Sequence, residues 1–502
     1  MTIKHIIVQA GGLGTRLEAL TTNKPKCLVS VNNLPIIFYL FNQFPKAKFY
    51  IIADYKSDVL EKYLTTFATN IDFCIEKTNF KGTSSGIANM ARKIENNPSV
   101  MLIWSDLILD DSFLLQNKEE NYVGISVDFE CRWSFINNQF IKNNSKENGV
   151  AGLFLFKNKQ ILHNVPENSE FVAWLANQNI DFNRLELLNA KEIGTINSYD
   201  SAKKSNKKCR PFNEINFYPK YVEKIPLSEY GKDIALKETS WYKHVSGYGF
   251  SHIPKIYRYE PLRIEKIIGK NIYEYQNFSD YQKEQILKKI IKKLNDLHNL
   301  DNEKIAVESD CINNYLEKTF ERMSVVKNLI PFANQKEIVI NGKKYKNALF
   351  FKDEIYAKII KHIPNKFHII HGDPTFSNII LRDEDVDPVF IDPRGYFGSS
   401  LIYGDRDYDF AKLYYSIIGN YDQFNNHNFS LDIREAEVFL HINSNNWSQL
   451  ESFFFNECGS SIEKIKLLHS LIWLSLCTYA WDDYDSICAS FYNGLTYLNE
   501  LI

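Results

Sequence analysis

Short, continuous apolar runs punctuate the first two hundred residues. Ile6-Ile-Val8 runs into a glycine turn, and Phe49-Tyr-Ile-Ile-Ala53, Val100-Met-Leu-Ile-Trp104 and Gly149-Val-Ala-Gly-Leu-Phe-Leu-Phe156 repeat the pattern. Runs of this length read as buried strands, and the segments 58–67, 86–94 and 169–177 carry helical spacing. Strands alternating with helices predict an α/β domain with a mostly parallel sheet. Lys203-Lys-Ser-Asn-Lys-Lys208 is polar and charged and reads as a linker, the alternative being a solvated loop inside one domain. Beyond it the pattern changes. Residues 216–225 and 262–268 look like strands and 281–300 like a long helix. The remainder reads as largely helical apart from strands around Phe367-His-Ile-Ile370, and 463–501 is apolar and aromatic at helical spacing. This predicts domains at 1–205, 206–270 and 271–502.

Composition narrows the class. At 502 residues the chain exceeds one ordinary core. It is 44% hydrophobic and 24% charged, as globular proteins are. A net charge of -2 gives no electrostatic case for nucleic acid or an anionic membrane as main partner. The eight cysteines form no Cys-x-x-Cys pair, so neither zinc nor a redox motif is supported. The N-terminus lacks a signal-peptide layout, and no apolar stretch reaches the ~20 residues of a membrane span. A cytoplasmic protein is expected.

Gly11-Gly-Leu-Gly-Thr-Arg-Leu17 follows the first strand. Its glycines let backbone N–H groups approach a phosphate, and Arg16 can grip one in a fork. Leu17 stands where a dinucleotide loop has its third glycine, which excludes that motif. Lys24-Pro-Lys26 supplies two more cations. The set resembles the nucleotidyltransferases that make activated sugars and CDP-choline, over about residues 1–200. The resemblance implies a Rossmann-like, glycosyltransferase-A-type sheet. It implies that Gly11, Gly12 and Gly14 wrap the nucleotide, and that Arg16 and Lys26 hold the triphosphate and the attacking phosphate. Gly82-Thr83 resembles the nucleoside-binding segment, Asp106 the Mg²⁺ aspartate, and Glu192 the second metal ligand, where aspartate is usual. Cys27, beside Lys26, reads as a small buried residue rather than a nucleophile.

His371-Gly-Asp-Pro-Thr-Phe-Ser-Asn378 is followed, fourteen residues after Asn378, by Asp392. Asp373 can orient a hydroxyl and accept its proton, while Asn378 and Asp392 offer the hard oxygens Mg²⁺ prefers. The segment resembles the aminoglycoside phosphotransferase and choline kinase group, over about 210–502. That resemblance implies an α+β protein-kinase-like fold with a largely helical C-lobe. It makes Asp409 a brace of the catalytic turn and His371 a structural residue. A kinase site also needs a lysine on the ATP phosphates paired with a glutamate. Lys224 with Glu238 fits, with Lys220 competing, and a helix is expected to begin near Lys237. Arg210-Pro-Phe-Asn-Glu214 stands where a glycine-rich loop belongs. Leu262 to Gly269 resembles the hinge. Trp473, Trp481, Asp482 and Asp483 form either an aromatic, acidic pocket for an ammonium group or core tryptophans with surface acids.

Together these resemblances imply a bifunctional enzyme using ATP, CTP or another NTP, Mg²⁺ and a small-molecule acceptor. A kinase would phosphorylate a hydroxyl, and a transferase would join that phosphate to a nucleotide, with CMP favoured, for capsule or other surface glycan synthesis. An amino alcohol, a polyol and a sugar all fit as acceptor, the sugar leading to an NDP-sugar. A different reading makes one half a degenerate nucleotide-binding or interaction module. An oligomer is compatible with each reading.

Overall fold

The computed structural model describes residues 3–79, 82–114, 119–203, 213–383 and 386–502. The chain forms two compact units, Met1–Asn206 with Ala480–Asp485, and Lys207–Tyr479 with Ser486–Ile502. The expected linker falls at 203–208, of which 204–208 lie outside the described residues.

The first unit is built on a mixed sheet with a parallel heart. Strand His5–Gln9 lies between Lys48–Ala53 and Val100–Trp104, parallel to both, and Asp72–Lys77 extends the parallel set. Gly149–Phe156 then adds antiparallel to Val100–Trp104, and Tyr122–Ser126 antiparallel to it in turn. Strands buried on both faces need no polar alternation, so they read as uninterrupted apolar runs. All eight residues of Gly149–Phe156 are buried. Helices Ser57–Phe67 and Ile87–Lys93 occupy the expected places, while the third expected helix shrinks to Phe171–Leu175. Gly152 adopts φ +86°, and a Cβ there would be driven into the Trp104 ring.

Ala480–Asp485, from the far end of the chain, belongs to this unit. Lys24 is buried there between Asp483, at 2.8 Å, and Asp485. Tyr63 donates its hydroxyl to the Trp481 carbonyl. Two expectations are thereby corrected. Lys24 is a neutralised core cation rather than a phosphate grip. Of the two alternatives for the tryptophans and acids, Trp473 fits the core one, fully buried and hydrogen-bonded to His469 at 3.0 Å, while Asp482 and Asp483 are buried rather than surface acids.

The second unit opens with a four-stranded antiparallel sheet containing Asn213–Phe217, Tyr221–Pro226, Ile256–Tyr259 and Leu262–Glu265. The segment expected as one strand at 216–225 is therefore a hairpin. Helix Glu229–Gly247 begins eight residues before Lys237, with Ser228 as its N-cap accepting the Gly231 N–H at 3.0 Å. Helices Asp280–His298, Arg406–Ile417, Ile462–Leu476 and Tyr484–Leu498 make the rest rich in helix. It is not as purely helical as expected. Glu337–Ile340, Lys343–Lys346, Phe429–Ile433 and Val438–Ile442 form a further four-stranded sheet.

Candidate active sites

In the first unit the glycine loop leaves the carboxyl end of the central strand, where open α/β sheets place their ligands. Gln9, the last residue of that strand, donates to the Thr83 carbonyl at 2.9 Å and the Ser85 carbonyl at 3.1 Å. This ties the Gly82–Thr83 segment to the loop. Gly82 has φ +102°, and a Cβ would strike the Ser169 backbone, so only glycine fits. The loop passes over Asp54 at Gly11 and is open at Gly12. At Gly14 it turns back with φ +66°, where a Cβ would come within 3.3 Å of the Lys26 side chain. Arg16 extends outward, its side chain 68% exposed.

Lys26 pairs directly with Asp106. The two-residue strand Lys191–Glu192 runs antiparallel to Leu107–Ile108, with Glu192 opposite Leu107. That register sets Glu192 beside Asp106. Burial first, and then the Asp106 charge, push the Glu192 carboxyl above its usual range. Arg16 lies 3.9 Å from Glu192. Lys26, Asp106, Glu192 and Arg16 are thus gathered at one edge of the sheet. The Cys27 thiol is buried and pushed up to about 12 by that burial, which suits no nucleophile.

In the second unit the catalytic-type turn is held from below. Asp409 is fully buried and accepts the His371 N–H at 2.8 Å, the Gly372 N–H at 2.7 Å and His298 Nε2 at 3.0 Å. His371 is buried as well. Its Nε2 faces the Ile391 carbonyl at 3.0 Å, and its Nδ1 accepts the Asp373 N–H at 3.3 Å. Burial lowers its pKa, so the ring is a neutral spacer between two loops. Asn378 donates to Asp373 Oδ2 at 3.0 Å and to the Asp373 carbonyl at 2.9 Å, which leaves its own oxygen outward. Lys224, on strand Tyr221–Pro226, bonds Glu238 at 2.7 Å and pairs with Asp392. Lys220 is exposed at the preceding turn. The region 210–212, where a lid over phosphate was sought, lies outside the described residues.

One residue here was not singled out by the sequence. Lys412 sits 2.9 Å from Asp373 Oδ1. Its signal is its place one turn after Asp409 on helix Arg406–Ile417, which puts both side chains on one face.

Both sites fit magnesium by their donors. Each offers a pair of hard side-chain oxygens, Asp106 with Glu192 and Asn378 with Asp392. Mg²⁺ is usually held by one or two carboxylates with phosphates and water. Among the described residues no cluster of three or more His, Cys, Asp or Glu could hold a metal by itself.

A family model described as "Nucleotidyl transferase" matches residues 5–122, and one described as "Phosphotransferase enzyme family" matches 219–451. The chain joins a nucleotidyltransferase domain to a phosphotransferase domain. The nucleotidyltransferase domain is similar to "Bifunctional protein GlmU" of Methanococcus aeolicus, 29% identical over 170 residues, covering 30% of this chain and 40% of that protein. It is also similar to a CTP:phosphoglutamine cytidylyltransferase of Campylobacter jejuni, 28% identical over 140 residues, 26% of this chain and 55% of that one. The chain therefore spans about half the length of these relatives. The solved CTP:phosphocholine cytidylyltransferase of Streptococcus pneumoniae superposes with a TM-score of 0.35 at 18% identity, over 41% of this chain and 100% of that one. The phosphotransferase domain contains the Lys224, Asp373, Asn378, Asp392 and Asp409 arrangement. Among the described residues no helix is long and apolar enough to cross a membrane.

Proposed function

We propose that the two domains act in sequence on one small molecule. In the phosphotransferase domain the acceptor hydroxyl gives its proton to Asp373 as its oxygen forms a bond to the γ-phosphorus of ATP and ADP leaves. Lys224, held by Glu238, grips the ATP phosphates. Lys412, 2.9 Å from Asp373 Oδ1, orients the carboxylate. In the nucleotidyltransferase domain an oxygen of the new phosphate attacks the α-phosphorus of CTP, and pyrophosphate leaves. Lys26 and Arg16 neutralise the attacking and leaving groups, and the Gly11–Gly14 loop with Gly82 and Thr83 receives the nucleotide. Mg²⁺, bound by Asp106 with Glu192 and by Asn378 with Asp392, would neutralise phosphate charge in both reactions.

The observation that carries this reading is the Lys224–Glu238 pair joined to Asp392, with Asp373 held by Asn378, on the same chain as Lys26 beside Asp106. CTP is favoured by the Campylobacter relative, whose name is a cytidylyltransferase's. The need for ATP and CTP pools places the enzyme in the cytoplasm, and the activated product would feed surface glycan synthesis.

The test uses the full chain with ATP, each NTP in turn, Mg²⁺ and an acceptor panel. ADP and a phosphorylated intermediate should appear first, then pyrophosphate, with CTP best. Asp373→Asn should abolish the first step and spare the second when phosphorylated acceptor is supplied. Asp106→Asn should do the reverse. A half whose activity survives its own substitution, or shows none, is not the enzyme proposed.

A further inference from the structure

Away from Asn378, Asp373 meets Lys412, and further basic side chains lie near that lysine. Asp373 Oδ2 faces Asn378, while Oδ1 faces Lys412. Arg394 lies against the same turn. Its N–H donates to the His371 carbonyl at 2.8 Å, and a Cβ on Gly372 would meet its side chain at 2.7 Å. The Arg394 guanidinium donates to the Tyr408 hydroxyl at 3.1 Å, and Lys412 approaches the same ring at 5.9 Å. Lys318 and Arg322, one turn apart on helix Lys318–Val326, complete the group. Lys318 donates to Asn314 Oδ1 at 3.3 Å and Arg322 to the Ser475 carbonyl at 3.1 Å. Both of those acceptors are neutral. Burial, then the charges of Arg394, Arg322 and Lys412, push the Lys318 amine well below its usual range. Among the described residues no carboxylate lies within ion-pair distance of Lys318, Arg322 or Arg394.

Lys318, Arg322, Arg394 and Lys412 act on one another, and only Lys412 pairs with Asp373, which is a poor resting arrangement because like charges at short range in a half-buried site repel with little screening. An anion seated among them would remove that repulsion and gain charge-assisted hydrogen bonds. On the proposed kinase reading the ATP phosphates belong to Lys224, which pairs with Glu238 and Asp392 and not with this group.

We propose that the acceptor carries, besides the hydroxyl given up to phosphorylation, an anionic group, a carboxylate or a phosphate, bound by Lys318, Arg322, Arg394 and Lys412. This rests on the kinase reading of Asp373. It replaces the ammonium-bearing acceptor the sequence left open with one of opposite charge. Phosphorylation proceeds as before: the hydroxyl proton passes to Asp373, the O–P bond forms, and ADP leaves.

The test is calorimetric titration of the full chain in a Lys26→Ala background, which removes phosphate binding in the other unit, with a non-hydrolysable ATP analogue and Mg²⁺. Glycerol, choline, glycerate and glycerol 3-phosphate make a set of neutral, cationic, carboxylate and phosphate probes. One or both anions should bind about tenfold tighter than glycerol and choline, since an added ion pair is worth a decade or more. The preferred anion then distinguishes carboxylate from phosphate. Arg322→Gln, and separately Lys318→Gln, should weaken that anion about tenfold while the affinity for the ATP analogue stays unchanged. Equal binding of all four probes, absence of anion binding, or anion affinity untouched in both variants would overturn the proposal. Asp373-dependent phosphorylation of neutral or cationic acceptors alone would sink the anion and leave the kinase standing. Anion binding without any Asp373-dependent transfer would sink the kinase reading instead.

Discussion

Replacing Asp409 by asparagine tests whether the catalytic turn is held from below. The carboxylate accepts three hydrogen bonds in a fully buried position, from the His371 and Gly372 N–H groups and from His298. Asparagine keeps one acceptor oxygen and turns an NH₂ toward a backbone donor. One charge-assisted bond is lost, at about 1.5–3 kcal/mol, and one buried N–H is left unsatisfied, at about 1–3 kcal/mol. The sum is about 2.5–6 kcal/mol, which brackets the roughly 3–5 kcal/mol found when one partner of a buried charged pair is removed. The second effect is kinetic. Asp373 follows Gly372 directly, so a shift of about 1 Å in the turn costs on the order of a hundredfold in phosphoryl transfer. Guanidinium unfolding, followed by tryptophan fluorescence, reads the first effect, and ADP release reads the second. In Asp409→Asn the transition of the second unit should move to lower denaturant and kcat should fall, with pyrophosphate release by the nucleotidyltransferase domain unchanged. An unmoved midpoint together with a kcat within threefold of the parent would refute the bracing argument.

Three further outcomes are expected. Lys224→Met leaves Glu238 and Asp392 facing one another without their shared cation, so kcat/KM for ATP should drop by about two to three orders of magnitude, on the order of 3–4 kcal/mol; a change under threefold would contradict the assigned role. Gly152→Ala must place a methyl in the Trp104 ring at φ +86°, which costs about 3 kcal/mol of overpacking and backbone strain, read as a lower midpoint of the first unit with transferase activity reduced. Burial pushes the Asp422 carboxyl from its ordinary 3.8 to about 6. The folded state then keeps a proton that the unfolded state has released, so stability falls as pH rises from about 4 to about 6. It stays about 3 kcal/mol lower above that window. Asp422→Asn should flatten this fall, and an unchanged slope in denaturation midpoints between pH 4 and 8 would count against it.

What could be read from the sequence is what lies contiguous in it. The Gly11 loop, the His371–Asn378 segment and Asp392 each carry their spacing in one stretch, because each is a single turn at the end of a strand. The buried strands were legible for the same reason. The hairpins at 337–346 and 429–442 were not, since four-residue strands such as Glu337–Ile340 show too little pattern among lysines and asparagines. Lys412 carried no signal of its own in the sequence, because its partner Asp373 stands 39 positions earlier and only the fold brings them together. Lys318, Arg322 and Arg394 are ordinary basic residues until the fold gathers their separate segments near Lys412. Lys24 is the inverse case: a motif lysine whose neighbours in sequence point to phosphate, and whose partners in space are two aspartates some 460 positions away.

That last pairing bears on how the protein is made. The nucleotidyltransferase unit has almost all its residues by position 206, yet its closing piece, Ala480–Asp485, is synthesised roughly 270 residues later. At about 5–20 residues per second, the ribosome needs roughly 15–50 s to supply it. Throughout that interval the nascent unit exposes the hollow that Trp481 will fill and holds Lys24 without its aspartates. An early-folding domain of this kind matures only after residues 207–479 have been translated, so its native form reports that most of the phosphotransferase unit has already been made.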